Sequence, residues 1–202
     1  KGKLFMNSQI ILSELKEKII AAFNVVEYPG DDKIAIKQWY LDAEHLDGYV
    51  GRKRENVTVD FINDGHRQCT TFMTQEALRY YLPVYLILCA EHALDMDIFS
   101  DEIIMYLTPP IKEDYEKILE FVQEEFGETP EEACIFPSNH DELEVAQNEF
   151  FSFIKMLSKE QREVVYYFLV YYEGKYQDGD GKEALDRFWE EFKDHDFEFR
   201  GK

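Results

Sequence analysis

Proline and glycine are scarce in this sequence, which holds 6 Pro and 10 Gly in 202 residues. Basic residues are also few. The chain has 22 Lys and Arg but 42 Asp and Glu, which gives a formal net charge of -20. A surface of that charge repels nucleic-acid phosphates and anionic lipid head groups. The sequence also lacks the run of about 18 apolar residues that a membrane-spanning helix requires. We therefore expect no nucleic-acid partner and no membrane partner.

Cysteine is scarce too, and Cys69, Cys89 and Cys134 are an odd number at wide spacing. No CxxC pair and no Cys/His cluster accompanies them, which argues against a disulfide framework and against a zinc site. They are typical of buried thiols in a reducing compartment, and the N-terminus lacks the long apolar core of a secretory signal. The sequence therefore predicts a cytoplasmic protein.

Aromatic residues are abundant, with 16 Phe and 13 Tyr in a chain that is 45% hydrophobic. That content is enough to bury a sizeable core, while the shortage of Pro and Gly favours few and short loops. We predict an all-α protein, a single compact bundle of about 7 to 9 helices that forms one domain over residues 1–202, with its core at 8–193.

The first half of the chain shows helical spacing of apolar residues in several segments. The first helix is predicted to begin near Ser8 and to end before the Pro-Gly turn of "EYPGDD", and the second to span about 32–46. Residues 47–57 contain the only basic run and are predicted to be an exposed loop. The segment 57–67 alternates well enough for a strand, but we favour a helix.

The second half contains an acidic segment, 112–149, in which 13 acids face two lysines. Its apolar residues still recur at helical steps, so we predict an ordered segment whose last helix spans about 141–156. Ser158 followed by Gln161 forms a capping-box pattern and predicts the start of a central helix. A last amphipathic helix is predicted at 182–192.

Established catalytic and metal-binding patterns fit this sequence poorly. In "DGDGKEALDRFW", a twelve-residue calcium loop starting at Asp178 would place Lys182 and Trp189 at positions that need oxygen ligands. The five histidines are scattered and match no zinc-hydrolase or zinc-deaminase pattern. We therefore name no catalytic residue, and we expect no metal and no cofactor.

The stretch "MTQEALRYYLPVYLI", residues 73–87, is the most unusual part of the chain. Thr74 predicts a helix start, whereas Pro83 predicts either a kink after Tyr80 or the start of a new helix. Arg79 lies one position away from the apolar face, beside a Tyr-Tyr pair. Two positions are open for its guanidinium. It either donates hydrogen bonds to backbone carbonyls freed by the proline, or it faces the acidic turn that follows the first helix. We favour the structural alternative.

Five segments carry the most distinctive patterns: "IIAAF…YPGDD" (19–32), "MTQEALRYYLPVYLI" (73–87), "LTPP" (107–110), "FSFIKMLSKEQREVVYYFLVYY" (151–172) and "EALDRFW" (183–189). Together they resemble a family of small bacterial proteins known only as a domain of unknown function. In that family a Pro-Gly-Asp-Asp turn follows the first helix, a Thr-Pro-Glu-Ala-hydrophobic-Arg-Tyr-Tyr-Leu-Pro motif lies in the middle, and a Leu-Thr-x-x-Gln helix ends the domain. The chain differs from that pattern at Gln75, where the family usually has proline, and in a longer acidic insertion around 112–142.

The resemblance covers roughly residues 10–192 and implies a compact, mostly helical bacterial domain. The resemblance implies no enzymatic reaction for this chain. It also implies that six residues belong to a shared pattern: Asp31, Asp32, Arg79, Tyr80, Tyr81 and Pro83.

Charge and the lack of catalytic patterns favour a non-enzymatic module that binds a basic protein, such as an immunity-type inhibitor of a basic toxin. The acids that we expect to face the partner lie in the acidic segment: Glu113, Asp114, Glu120, Glu124, Glu125, Glu128, Glu131 and Glu132. Tyr115 or Phe136 is expected to supply an aromatic anchor.

One alternative is an enzyme or a binder of a small anionic ligand, with a pocket at helix 74–92. In that case Arg79 would hold the anion, and Asp31 or Asp32 would act as acid or base. A third alternative is a structural or adaptor protein that has no acidic contact site. Self-association as a homodimer is open too, because the apolar run "VVYYFLVYY" would be costly to expose.

Overall fold

The computed structural model describes residues 11–36, 43–66, 69–96, 98–126 and 140–192. Over these ranges the chain forms nine α-helices, five short 3-10 helices and no β-strand. The predicted all-α class is therefore confirmed. The helices are α1 (Leu12–Phe23), α2 (Val59–Asn63), α3 (Cys69–Phe72), α4 (Gln75–His92), α5 (Phe99–Tyr106), α6 (Lys112–Phe126), α7 (His140–Met156), α8 (Lys159–Tyr176) and α9 (Asp180–Arg187).

Helix α1 buries one apolar face against the rest of the bundle. Leu15, Ile19 and Phe23 are fully buried and recur every four residues, as one face of a helix requires. The predicted cap, Ser8, lies outside the described residues. The helix itself starts after Ile11, whose side chain makes no capping bond.

The predicted second helix at about 32–46 is wrong over its first part. Only a short 3-10 helix, Asp31–Lys33, follows the Pro-Gly turn, and Ala35 then forms an antiparallel bridge with Met73. The Ile36 N–H donates to the Phe72 carbonyl at 2.9 Å, which holds this segment extended. Pairing with a segment distant in sequence thus overrides the local helical spacing. Residues 37–42 of the prediction lie outside the described residues, and a second 3-10 helix covers Ala43–Tyr49.

Helix α4 begins where it was predicted, because Thr74 accepts a hydrogen bond from the Ala77 N–H at 3.1 Å. It then runs through Pro83 to His92 as one helix, so the predicted alternative of a new helix at Pro83 is wrong. Proline inside a helix costs about 3 kcal/mol. Pro83 is buried among the apolar residues of α4, and that burial offsets part of the cost.

Helix α8 lies at the centre of the bundle and contacts α1, α4 and α9. The predicted capping box at its start is confirmed, with both reciprocal bonds between Ser158 and Gln161 present. Most of its apolar run is buried within the chain: Val164, Val165, Tyr166, Tyr167, Phe168, Leu169 and Tyr172. The run therefore leaves little apolar surface for the homodimer face that the sequence allowed.

The remaining predicted helices are confirmed with changed bounds. The segment at 57–67 is the short helix α2, capped by Thr58, and the helix at 141–156 is α7. The last predicted helix divides into α9 and a 3-10 helix, Trp189–Phe192. In the parts of the chain that the structure describes, no helix combines the length and the apolar character needed to cross a membrane.

Candidate functional site

The outward side of α6 carries a row of exposed carboxylates, Glu113, Glu120 and Glu124, which we call the α6 acidic row. Spacings of seven and four residues place the three on one side of the helix. At 1.5 Å per residue the row extends over about 16 Å. Glu116 lies on the same side but pairs with Lys112, with Nζ and Oε1 2.6 Å apart. Lys117 is also exposed on this side, four residues after Glu113, and offsets part of the charge. The row therefore presents a net negative charge along three turns of helix.

Asp114, one position along α6, has a structural role. Its two carboxylate oxygens accept hydrogen bonds from the Arg187 guanidinium at 2.6 and 2.7 Å, and one of them also accepts from the Ile111 N–H at 3.2 Å. Partial burial raises the pKa of this carboxyl, but the hydrogen bonds and charge of Arg187 outweigh that effect and leave the pKa below its usual range. Asp114 thus fixes α6 to α9 and has little left to offer a partner.

The structure places only part of the predicted acidic surface. The side chain of Glu125 lies outside the described part of α6. Three more acids lie outside the described residues: Glu128, Glu131 and Glu132. Of the two predicted aromatic anchors, Tyr115 is half-buried and Phe136 lies outside the described residues. The described part of this surface is therefore the α6 acidic row.

Arg79 does not take either of its two predicted positions. Its Nε and Nη2 atoms donate to Oε1 of Gln161, at 3.3 and 3.1 Å. Gln161 is fully buried, and its Nε2 donates to the Ala22 carbonyl at 3.0 Å. The same Oε1 accepts from the Ser158 N–H at 3.0 Å. A buried amide thus joins α1, α4 and α8, and the Arg79 guanidinium is one of its partners.

Asp31 and Asp32 lie at the turn after α1. Oδ1 of Asp31 accepts from the Tyr28 hydroxyl at 2.7 Å and from the Gly51 N–H at 3.0 Å. Asp32 is exposed in the same 3-10 helix. Among the described residues, no hydrogen bond or ion pair joins Arg79 to either aspartate, so these contacts do not assemble the predicted anion pocket.

The tyrosine pair of α4 does meet the Asp31 turn. The Tyr80 ring packs edge-on against Tyr28, with centroids 5.4 Å apart. The Tyr81 hydroxyl lies 2.7 Å from the Arg52 carbonyl and 3.1 Å from the Tyr49 carbonyl, and its one proton is shared between these two acceptors. Burial, followed by the nearby Tyr28 and Tyr80, raises the pKa of Tyr81 well above its ordinary range. The Tyr81 hydroxyl is therefore neutral at physiological pH and acts as a structural hydrogen-bond group.

Two arginines of the basic run are structural, a role that sequence reasoning missed. Arg54 has a side chain only 17% exposed, and its Nη1 donates to the Phe23 carbonyl at the end of α1 at 3.0 Å. Arg52 donates to the Gly48 carbonyl at 2.7 Å and lies over the Phe61 ring. The predicted exposed loop is thus fixed by its own guanidinium groups. No local sequence pattern indicated this role, because the helix C-terminus whose carbonyl Arg54 reaches lies 31 residues earlier.

An open groove of about 420 Å³ lies along α2 and is lined by Asp60, Phe61, Asn63 and Asp64. It is lined by none of the residues proposed for a pocket at α4. Among the described residues, no group of three or more His, Cys, Asp or Glu side chains is arranged to hold a metal ion.

Comparison with models of protein families, with curated proteins and with solved structures found no match. The resemblance to a bacterial family of unknown function therefore stays a prediction from the sequence motifs.

Proposed function

We propose that this chain is a non-enzymatic, acidic protein-binding module that binds a basic protein through the α6 acidic row. The form that we favour is a bacterial immunity-type inhibitor, which masks the cationic surface of a toxin. The supporting observation is the exposed row of Glu113, Glu120 and Glu124 on a helix anchored to α9 through Asp114 and Arg187. The anchor presents the carboxylates at fixed spacing, so less ordering entropy is lost on binding.

The net charge of -20 adds a long-range contribution to this local surface. A field of that sign draws a cationic protein toward the chain and raises the rate of encounter, most strongly at low ionic strength. At about 0.15 M salt the Debye length is about 8 Å, so only carboxylates near the contact still act. We therefore assign the encounter rate to the whole charge and the lifetime of the complex to the contact surface.

The alternative, an enzyme or anionic-ligand site that uses Arg79 with Asp31 or Asp32, receives less support. The hydrogen bonds of Arg79 go to Gln161, and those of Asp31 go to Tyr28 and Gly51. A general acid or base must reach the reacting group within hydrogen-bond distance. Both groups are held by partners within the chain, so we do not favour this function.

The test is affinity capture from cells of the source organism, with the wild-type chain compared with two triple variants. The first variant replaces the row with glutamines (Glu113→Gln, Glu120→Gln, Glu124→Gln). The matched control makes the same change at three exposed acids elsewhere: Glu17, Glu27 and Glu190. Both variants lose three carboxylates, so they have the same net charge.

We expect the wild-type chain and the control to retain a protein of high isoelectric point that the row variant loses. The association rate of the purified pair should fall steeply as salt rises from about 0.05 to 0.5 M. Failure of the wild-type chain to retain any basic protein contradicts the proposal. If both triple variants lose the basic protein to the same extent, the binding is non-specific charge attraction. The α6 acidic row is then not the binding site.

A further inference from the structure

Three large apolar side chains are exposed at α5 and in the turn that leads into it. Leu94 is 87% exposed, Ile98 46% and Met105 71%. Ile98 and Met105 are seven residues apart, which places them on the same side of the helix, about 10 Å apart along its axis. The opposite side of α5 is buried through Phe99 and Ile103. Single exposed apolar residues are common, but here Ile98 and Met105 share one side of a helix and Leu94 is exposed in the turn before it, and we call these three side chains the α5 apolar patch.

The border of this patch is acidic. Asp95 follows Leu94 directly, with its side chain 67% exposed, and Asp101 is exposed on α5. Residues 93–106 contain four acids and no Lys or Arg. The nearest cation-forming side chain in the turn is His92, which lies 3.3 Å from Asp95.

The groove along α2 continues this surface. Nδ2 of Asn63, which lines the groove, donates to the Asp95 carbonyl in the turn at 2.9 Å. Two further exposed carboxylates, Asp60 and Asp64, line the same groove. Its aromatic residue, Phe61, stacks on His66 and lies under Arg52, so its ring is held in place. The α2 groove, the turn at Asp95 and the exposed side of α5 are thus linked through this hydrogen bond, and together we call them the α2–α5 face.

We propose that the α2–α5 face docks an amphipathic, lysine- or arginine-rich helix of a partner protein. Ile98 and Met105 accept the apolar side of that helix, since residues seven apart on either helix meet at the same two-turn spacing. The basic side chains along its edge pair with Asp60, Asp64 and Asp95. The inference rests on the proposed function, because it supplies the apolar contact that the α6 acidic row lacks.

Charge favours such a partner over a second copy of this chain. Two copies would bring together faces that are both acidic, in a protein with a net charge of -20. Like charges placed opposite each other across an interface disfavour the pairing. A basic helix, by contrast, satisfies both the apolar residues and the acids of the α2–α5 face.

The probe is a synthetic amphipathic peptide of leucine and lysine, about 18 residues long, and a scrambled peptide of the same composition serves as its control. Binding to the full chain is measured by fluorescence anisotropy. The double variant Ile98→Gln, Met105→Gln removes the apolar contact. The control double variant makes the same change at Ile20 and Val25, which are 55% and 75% exposed on and just after α1.

We expect the amphipathic peptide to bind the wild-type chain at least about tenfold more tightly than the scrambled one, and the Ile98/Met105 variant to lose that difference. The Ile20/Val25 variant should keep it. Protection from hydrogen exchange on peptide binding should map to residues 94–105.

Three results with the purified chain would overturn the inference. The first is equal affinity for both peptides, and the second is an equal effect of the two double variants. The third is a wild-type dimer in sedimentation that the Ile98/Met105 variant dissociates, since the occupant would then be a second copy. If the natural basic protein is captured normally by the Ile98/Met105 variant, only the docking surface fails. If no basic protein is captured while the peptide still binds, only the proposed function fails.

Discussion

Arg79 and Gln161 are 82 residues apart, yet the guanidinium of one donates two hydrogen bonds to the amide oxygen of the other. The amide nitrogen reaches a third helix through the Ala22 carbonyl. Gln161 is fully buried, whereas Arg79 is partly exposed, so these bonds are largely but not wholly shielded from water. A buried amide satisfied in this way gives a core a unique arrangement, and a buried amide with partners missing would destabilise it.

Gln161→Ala should lower the free energy of unfolding by about 3 kcal/mol, because it leaves the Arg79 guanidinium and the Ala22 carbonyl without this partner. Urea denaturation monitored by circular dichroism measures the loss. Gln123→Ala, the same change at an exposed position of α6, should alter stability by less than about 0.5 kcal/mol. Similar effects of the two changes would show that the amide does not hold the three helices together.

Tyr81→Phe should cost about 1 to 2 kcal/mol of stability, because the Arg52 and Tyr49 carbonyls lose a buried donor. Hydrogen exchange should also become faster in the loop at residues 49–56. Tyr28→Phe removes two exposed bonds, one to Asp31 and one from the Gly51 N–H, which keeps Asp31 as an acceptor, and should cost less than about 0.5 kcal/mol. A larger loss for Tyr28→Phe than for Tyr81→Phe would contradict the structural role given to Tyr81.

The ion pair between Asp114 and Arg187 should contribute about 1 kcal/mol of coupling, measured with Asp114→Asn, Arg187→Met and the double variant. The pKa of Asp114 is lower in the folded chain than its ordinary value of 3.8. This contribution is therefore fully present above the unfolded-state pKa and is lost as the pH falls through the folded-state pKa. Coupling should be constant between about pH 7 and 5 and decline below about pH 4. Coupling that instead weakened between pH 7 and 5 would exclude Asp114 as its source.

Asp180→Asn should raise stability at pH 7. Burial, followed by the charges of Asp178 and Asp101, raises the pKa of the Asp180 carboxyl, so the folded chain binds its proton more tightly than the unfolded chain does. The ionised form therefore destabilises the fold, and stability from this group is present at low pH and lost as the pH rises through the folded-state pKa. Thermal denaturation at pH 7 measures the gain.

Asp178→Asn should also raise stability, but by less, because it removes one of the charges that raise the pKa of Asp180 while its amide oxygen can still accept from the Asp180 N–H at 3.1 Å. A lower melting temperature for Asp180→Asn would show that its carboxylate is a favourable group at the start of α9.

The structural features that were predicted correctly from the sequence depend on residues only a few positions away in the chain. Thr74 and Ser158 were found as helix starts because a cap depends on the three residues that follow it. The segment at Ala35 was predicted wrongly because its conformation depends on Met73, in another part of the chain. Helical spacing carries no information on such a partner.

The same difference between nearby and distant partners in sequence decides which parts of the candidate site could be predicted. Exposure of the α6 acidic row follows from helical spacing, which places acids opposite the apolar positions. The sequence could not predict that Asp114 bonds to Arg187 instead of belonging to the exposed row, since Arg187 is 73 residues away. The sequence likewise predicted that Arg54 lies in an exposed loop, whereas its side chain donates to the Phe23 carbonyl 31 residues earlier.

The hydrogen bond from Gln161 to the Ala22 carbonyl spans 139 residues and has a consequence for synthesis. During synthesis α1 leaves the ribosome well before its buried partner α8, although after α4 is made it can already pack on that helix. The apolar face of α1 therefore lacks part of its native cover until α8 has been made. Long-range closure of this kind slows folding and leaves nascent chains open to chaperones.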